Sequence, residues 1–498
     1  MEYEPTIGIE THAQLLTASK MFCSCTVPSS ASSCAVPASL GRDRTDYTAA
    51  PANSLICPVC LGMPGSLPVI NQLAVEYVIM TGLALNCRIA EISRFARKNY
   101  NYPDLVKGYQ ISQWDLPICS GGWLEIQVGE HSKRIGIHDV HLEEDTGKLI
   151  HVGGQSLIDF NRSGVPLMEI VTEPDFTSLG EVREYVLQLR KLLRYLGVSS
   201  GNMEEGAMRF EGNISLHPVG TAELGQRVEI KNLNSLKALL RALEYEMDRQ
   251  GELLGEGGAV HRETRGWNET QGVTLLQRSK EFADDYRYFP EPDLPPLEIQ
   301  REWVEQIRAR MPELPEERCR RFMSDYQLSA YDAALLTEER PVADYFEQAV
   351  AVAQRRGLAP KTIANWVTGE LFRLVHSNNL EIDAIKISPE QLVALAALVE
   401  DNVITMTSGK RVLEVMFDSG RAADDIVAKE GLAQIADADR LSPIVEQVIA
   451  ANPDAVAEYR RGKETILRFL MGQVMRATGG KADANLAAGL LKQKLSSG

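Results

Sequence analysis

The sequence predicts an α+β protein: an N-terminal cradle of antiparallel β-sheet with flanking helices, then an all-α helical domain and a helical C-terminal tail. Three observations predict it. Several segments before residue 290 alternate apolar and charged residues with the period of two that a strand requires. A run of prolines, Pro290, Pro292, Pro295 and Pro296, then interrupts the chain. Beyond it the apolar spacing becomes helical, and domains are expected at 1–295, 296–400 and 401–498.

Pro5 to Leu16 reads as the first strand. Ile7, Ile9, Thr11, Ala13 and Leu15 share one face, and Gly8, Glu10, His12 and Gln14 share the other. A Glu and a His two apart on a strand can touch one ion or one phosphate, but a solvated strand face has the same pattern. The pattern recurs downstream. His141, Glu143 and Asp145 fall on one side and Glu144 on the other; Glu169 and Glu173 share a face with Val171. Met208, Phe210, Ile214 and Leu216 alternate with Arg209, Glu211, Asn213 and Ser215, and Arg227, Glu229 and Lys231 oppose Val228 and Ile230. Laid side by side, these strands make a sheet with an apolar back and a charged concave face. Carboxylates with one imidazole suit Mg²⁺ or Mn²⁺ better than a soft metal.

Helices flank and follow this sheet. Ser178 to Gly197 carries a capping box, Ser178 with Glu181, and a glycine stop. Val182, Tyr185, Val186, Leu189, Leu193 and Leu196 form its buried stripe. Asn234 is expected to cap a second helix through Met247. After the prolines, helices are expected at 301–310, 341–356, 361–375 and 389–399, punctuated by Gly420 and Gly431. Asn452-Pro453 opens a final region in which eight basic residues stand against three acidic ones between Glu458 and Gly498.

Five of the eight cysteines lie between residues 23 and 60. Cys23-Ser-Cys25 and Cys57-Pro-Val-Cys60 read as two metal half-sites, and four thiolates suit structural Zn²⁺. Cys34 is a spare candidate in the gap. Unrelated reduced cysteines remain the alternative, and no βαβ pattern around Cys57 and Cys60 supports a redox pair.

The chain of 498 residues has ordinary globular composition, 44% hydrophobic and 24% charged. No apolar run reaches membrane-spanning length and residues 1–20 lack a signal-peptide pattern, so a cytoplasmic enzyme is expected. The net charge of −16 argues against wholesale coating of nucleic acid but allows a local basic site. No Walker-type loop and no nucleophile elbow are present, and Gly255-Glu-Gly-Gly258 reads as a turn. A nucleotide would therefore be held by metal and basic side chains. The segment from Arg97 to Gln113 offers Lys98 and Lys107 among tyrosines for this, although a polar surface loop has the same composition.

Several long motifs carry a resemblance. They are I-G-I-E-T-H from Ile7, C-P-V-C-L-G-M-P-G-S-L-P-V-I-N to Asn71, K-N-Y-N-Y-P-D from Lys98 and H-L-E-E-D-T-G-K to Lys148. D-F-N-R-S-G-V-P-L-M-E-I-V-T-E-P-D to Asp175, E-I-K-N-L-N-S to Ser235 and D-D-Y-R-Y-F-P-E-P-D to Asp293 complete them. In this order they resemble the B subunit of the aspartyl/glutamyl-tRNA amidotransferases over essentially the whole chain.

The resemblance implies ATP-dependent conversion of the esterified carboxylate of Glu-tRNA(Gln) or Asp-tRNA(Asn) to an acyl phosphate, then displacement of phosphate by ammonia. It implies Mg²⁺ and reaction-site roles for Glu10, His12, Glu144, Glu169 and Glu211. Lys98, Asn99 and Lys107 would hold phosphate or the acceptor end. Arg287 would support developing charge or pair with Asp284 or Asp285. The zinc ligands would be Cys23, Cys25, Cys57 and Cys60. The chain carries no amidase or glutaminase signature, so ammonia is expected from an amidase A subunit joined through a small C subunit. Arg468, Arg476 and Lys481 in the helical tail would contact tRNA phosphates, although a helical bundle with a solvated face has the same composition.

The chain departs from the family pattern in places. The stretch between the cysteine pairs is long, Glu211 stands where Asp is frequent, and Val106 replaces a common proline. Glu464 to Arg468 is bulkier than the small-residue stretch usual there. A non-catalytic tRNA-docking subunit is the alternative function. The archaeal paralogue is disfavoured because no large insertion follows Leu276.

Overall fold

The computed structural model describes residues 2–28, 50–152, 154–221, 223–279, 286–435 and 437–496. The chain divides into two compact units, 1–314 and 315–498. In the first unit the elements run β1 (Tyr3–Gln14), α1 (Gln72–Ala84), β2 (Arg88–Ile89), β3 (Ile92–Ser93), β4 (Phe95–Asn99) and β5 (Tyr109–Gln113). Then come β6 (Cys119–Val128), β7 (His131–Glu144), β8 (Lys148–Val152), β9 (Gln155–Asp159) and β10 (Pro166–Thr172). They are followed by α2 (Leu179–Leu196), β11 (Met208–Pro218), β12 (Val228–Leu233), α3 (Leu236–Gly255), β13 (Glu263–Asn268) and β14 (Val273–Ser279). The unit closes with β15 (Phe289–Pro290), β16 (Leu297–Glu298) and α4 (Arg301–Arg310).

Nine strands form the main sheet in the order β14-β13-β12-β11-β1-β10-β7-β6-β2. The sheet is mixed rather than wholly antiparallel, because β12 and β13 run parallel. Parallel neighbours need a crossover, and α3 supplies it. On one face Ile7, Ile9 and Ala13 of β1, Ile170 of β10 and Ile214 of β11 join Val182, Tyr185, Leu189, Leu239 and Leu243 in a single core. The period-two alternation thus puts the charged residues of these strands on the opposite face. A three-stranded sheet, β15-β4-β5, stands beside it.

Helix α2 begins and ends where its signals place it. The Ser178 hydroxyl accepts from the Glu181 N–H at 3.3 Å, and Gly197 is left-handed with φ of 71°. The Glu181 carboxylate turns to the Thr177 N–H at 2.8 Å. For α3 the cap is Ser235, one residue beyond Asn234: its hydroxyl accepts from Ala238 at 3.0 Å, and the helix runs past Met247 to Gly255.

The unit boundary lies at 314/315, not at 295. After the prolines, β16 pairs with β3, and α4 buries Val304 and Ile307 in the first unit's core. Glu76 on α1 secures α4 by accepting from Trp303 Nε1 at 3.3 Å and pairing with Arg310 at 2.9 Å.

The second unit is helical and has two cores, one over residues 322–432 and one over 441–495. Helices Met406–Ser419 and Ala423–Glu430 belong to the first of these cores, so the expected division at 400 falls inside it. Gly420 and Gly431 end both helices in left-handed geometry, as their positions in the sequence predict. The expected 361–375 helix contains a π-helical turn at Trp366–Leu371. Among the described residues, no helix is long and apolar enough to cross a membrane.

Leu189 is fully buried between α2 and the sheet. Leu189→Ala is expected to destabilise the first unit by about 2–5 kcal/mol, read as a shift of its urea unfolding midpoint.

Candidate functional site

Strand register assembles the site. His12 on β1 lies opposite Glu169 on β10, which lies opposite His141 on β7; on its other side His12 faces Arg209 of β11. One rung along, Glu10 faces Glu211. His12 Nε2 stands 3.6 Å from Glu169 and 3.7 Å from Glu143, and His141 Nε2 stands 3.1 Å from Glu169. Asp139 meets His141 Nδ1 at 2.6 Å and so orients the ring. Beside this group, Arg209 and Gln14 hold Asp145 at 3.1 and 2.9 Å.

A bulge shapes the next strand. Between the pairs Phe210–Leu233 and Gly212–Ile230, Glu211 faces both Lys231 and Asn232. Asn232 takes the left-handed φ of 67° that the bulge needs. Lys231 then bridges Glu211 at 2.6 Å and Glu229 at 2.9 Å. Glu10 accepts from Asn213 Nδ2 at 2.9 Å.

Of these groups His12, Glu143, Asp145, Arg209, Glu211 and Lys231 line a cleft of about 540 Å³, with Lys98, Tyr100 and Gln110 of the β4–β5 wall and with Tyr286. Lys98 lies 5.2 Å over the Tyr286 ring.

The charges are strongly coupled. Burial and repulsion from Glu169 and Glu211 push Glu10 up to about 7. Burial alone would lower His12, but the charges of Glu169 and Glu143 raise it to about 9. Burial and Glu169 raise Glu143, while Glu169 itself is held well below its ordinary range, against burial, by His12 and His141. Lys98 is likewise raised, against burial, by Glu143 and its neighbours.

The donor chemistry fits a hard divalent cation. Ligand atoms of His12, Glu143 and Glu169 lie within 4.8 Å of one another, and the buried Glu143 Oε2 has no hydrogen-bond partner. Glu10, Glu211 and Glu229 converge similarly, but there the Lys231 ammonium already supplies positive charge.

Four residues named from the motifs, Glu144, Lys107, Asn99 and Arg287, are not in the cleft lining. Glu144 points to the opposite side of β7, where its carboxylate takes the Lys107 ammonium and the Ile111 N–H. It ties β5 to β7, and Glu143 occupies the place beside His12. Asn99 spends its amide on the carbonyls of Tyr286 and Arg287, at 3.3 and 2.8 Å, fastening that segment to β4. Arg287 is exposed and is not among the residues lining the cleft; Asp284 and Asp285 lie outside the described residues. His141, Glu143, Asp145, Arg209 and Lys231 are the residues the motif reading left without roles, though all share the polar parity of their strands.

The sulfurs of Cys23, Cys25, Cys57 and Cys60 also lie within 4.8 Å of one another. The Cys57 N–H donates to the Cys60 sulfur at 3.0 Å. A bond from Cys23 lowers the Cys60 thiol to about 5, with help from the Cys57 N–H and the nearby Lys20 charge, and burial raises Cys25 to about 11. Such a set of thiols fits a tetrahedral soft-metal site. Cys34 lies outside the described residues. In the second unit, Arg468 and Arg476 are exposed on helix Ile466–Ala477, and Lys481 is half-buried beyond it.

Family models of the GatB/GatE catalytic domain and of the GatB domain match residues 5–305 and 344–495. A protein of Roseiflexus castenholzii, named as the B subunit of an aspartyl/glutamyl-tRNA(Asn/Gln) amidotransferase, is 50% identical over 99% of this chain and 99% of its own length. Proteins of the same name from Dehalococcoides mccartyi and Moorella thermoacetica are also 50% identical, covering 100% and 99% of this chain and all of their own lengths.

The pH dependence of the metal-free chain has a definite sign. Glu10, raised from 4.5 to about 7, contributes stability below pH 4.5 that is lost as pH rises through 7. His12, raised from 6.5 to about 9, contributes stability below pH 6.5 that is lost as pH rises through 9. Melting temperatures in chelator are therefore expected to fall from pH 5 to 9. Glu10→Gln should flatten the lower part of that fall, and His12→Gln the upper.

Proposed function

The chain belongs to the GatB/GatE family, and on that premise we propose that it is the activating and amidating subunit of a tRNA-dependent amidotransferase. The reaction converts Glu-tRNA(Gln) or Asp-tRNA(Asn) to the amide form. The carboxylate first takes the terminal phosphoryl group of ATP, releasing ADP. Ammonia then attacks the acyl phosphate, and the carbon–oxygen bond to phosphate breaks. An amidase A subunit supplies the ammonia from glutamine, and a small C subunit completes the heterotrimer. The cytoplasm is the compartment that suits these substrates.

One observation carries the site assignment: buried carboxylates, two imidazoles and the cations Lys98, Arg209 and Lys231 converge in or beside one cleft of the first unit. Phosphoryl transfer needs chiefly positioning and charge neutralisation, and such a cleft supplies both without a phosphate loop. Lys98 and Arg209 face the cleft as fixed positive charges for phosphate oxygens. Lys231 and Asn213 hold Glu211 and Glu10 in place. Glu10, which faces Glu211 across the strand pair, is the carboxylate assigned to take the proton that the attacking nitrogen sheds. His141 and Asp139 fix the orientation of Glu169.

His12, Glu143 and Glu169 are the residues that would hold Mg²⁺. When bound there it supplies further neutralisation of the phosphate charge. Glu144 and Lys107 support the wall of the cleft, and Asn99 positions the Tyr286 segment. A docking subunit without chemistry would have no use for this concentration of buried charge.

Cys23, Cys25, Cys57 and Cys60 are assigned to a structural Zn²⁺, supported by the convergence of their sulfurs. Arg468, Arg476 and Lys481 are assigned to tRNA phosphates, a contact that weakens with salt.

Single-turnover phosphoryl transfer from labelled ATP, in the assembled heterotrimer, tests the cleft. His12→Ala and Glu143→Ala are expected to slow acyl phosphate formation by about 100-fold or more while tRNA binding and glutamine hydrolysis persist. Unchanged acyl phosphate in both variants would mean that the cluster is structural. Glu144→Ala is expected to act more weakly, through the wall. Metal analysis should find one zinc per chain, and its removal by a chelator should lower the melting temperature.

A further inference from the structure

Lys20 is 1% exposed, among the most deeply buried large side chains of the protein. Its ammonium donates to two backbone carbonyls, Leu55 at 2.9 Å and Phe160 at 3.5 Å. Both partners are neutral, and no carboxylate among the described residues lies within ion-pair distance of it. The buried Arg318 and the half-buried Arg209 differ: Arg318 meets Asp344 and Glu347, and Arg209 meets Asp145. A buried ammonium without a negative partner costs several kcal/mol, so carbonyl dipoles alone do not account for this residue.

Its position names the missing partner. The Lys20 N–H donates to the Cys25 carbonyl at 2.9 Å, inside the turn closed by the Ser19–Thr26 bridge. Leu55, which takes the ammonium, lies just before Cys57 in the chain. The Lys20 stem and Cys60 flank the same glycine: a Cβ added to Gly164 would sit 3.5 Å from Lys20 Cδ and 3.7 Å from Cys60 Cβ. Lys20 is thus bonded through its backbone to the first cysteine pair, and its side chain lies against the segment leading to the second and beside the glycine that Cys60 also flanks. Four thiolates around Zn²⁺ carry a net charge of about −2, itself costly to bury without a counter-cation.

We propose that Lys20 is the buried counter-cation of a zinc–tetrathiolate centre, a positioning residue that neutralises the cluster rather than a strut between two loops. This rests on the zinc assignment made above. Loss of such outer groups typically costs about 10- to 100-fold in metal affinity. The charge is the point, so its effect should depend on whether metal is present.

Zinc affinity of the full-length chain, measured by competition with a chromogenic chelator, tests this alongside melting temperatures with and without zinc. Lys20→Met is expected to weaken zinc binding about 10- to 100-fold. Lys20→Gln keeps N–H donors for the two carbonyls but has no charge, and should weaken it comparably. It also answers the question if Lys20→Met fails to fold. In zinc-stripped protein both variants should lose less melting temperature than they do with zinc, because the charge of the full tetrathiolate centre is then absent. Wild-type affinity in Lys20→Gln, or equal losses of melting temperature with and without zinc, would overturn the proposal. A wild-type chain that binds no zinc would overturn the zinc assignment itself, and this proposal with it.

Discussion

The row of ionisable groups running across β7, β10, β1 and β11 is the constraint on which the first unit depends. Antiparallel register brings His141, Glu169, His12 and Arg209 into one line, and strand parity gives them all the same face. Buried groups of this kind must be compensated where they stand. Glu169 is answered by two imidazoles, Asp145 by Arg209, and Glu211 and Glu229 by Lys231. The balance is incomplete at Glu143 and Glu10, whose pKa values are raised first by burial and then by the neighbouring Glu169 carboxylate. The unpartnered Glu143 Oε2, converging with His12 and Glu169, is what makes the face receptive to a cation.

The opposite face makes this tolerable. Ile7, Ile9, Ile170 and Ile214 bury against α2 and α3, so apolar burial on one side holds strands whose other side carries charge. The β4–β5 wall is then fastened over the cleft by polar ties. Glu144 takes Lys107 and the Ile111 N–H, Gln110 donates to the Glu144 carbonyl at 2.8 Å, and Asn99 secures the Tyr286 segment. Residues that the motifs place together are thus divided between the two sides of β7, with Glu144 and Asn99 bonded within the wall. The sulfur cluster follows the same logic of compensated burial on a smaller scale, with Lys20 as its cation.

Much of the fold was legible where local signals suffice. Alternation marked β1, β10, β11 and β12, and the cap and stop residues of α2 and the glycine stops of two later helices marked those ends, because each depends on neighbours in sequence. Ends set by distant partners were not legible. The first unit runs to 314 because Glu76 and the core hold α4. The start of α3 is local but falls one residue later than the asparagine suggests, because the Ser235 hydroxyl, not Asn234, reaches the Ala238 N–H. The parallel β12–β13 pair follows from a crossover that no strand pattern announces.

At the site, the sequence by itself determined which faces would be polar, and its alternation already put His141, Glu143 and Asp145 on the side away from Glu144. The long motifs determined the family. Only the tertiary structure decided which carboxylate meets His12, that the Lys231 ammonium bridges Glu211 and Glu229, and that Lys20 is buried close to the cysteines. The reason is physical: parity is a property of one strand, whereas compensation of a buried charge depends on groups brought from distant parts of the chain.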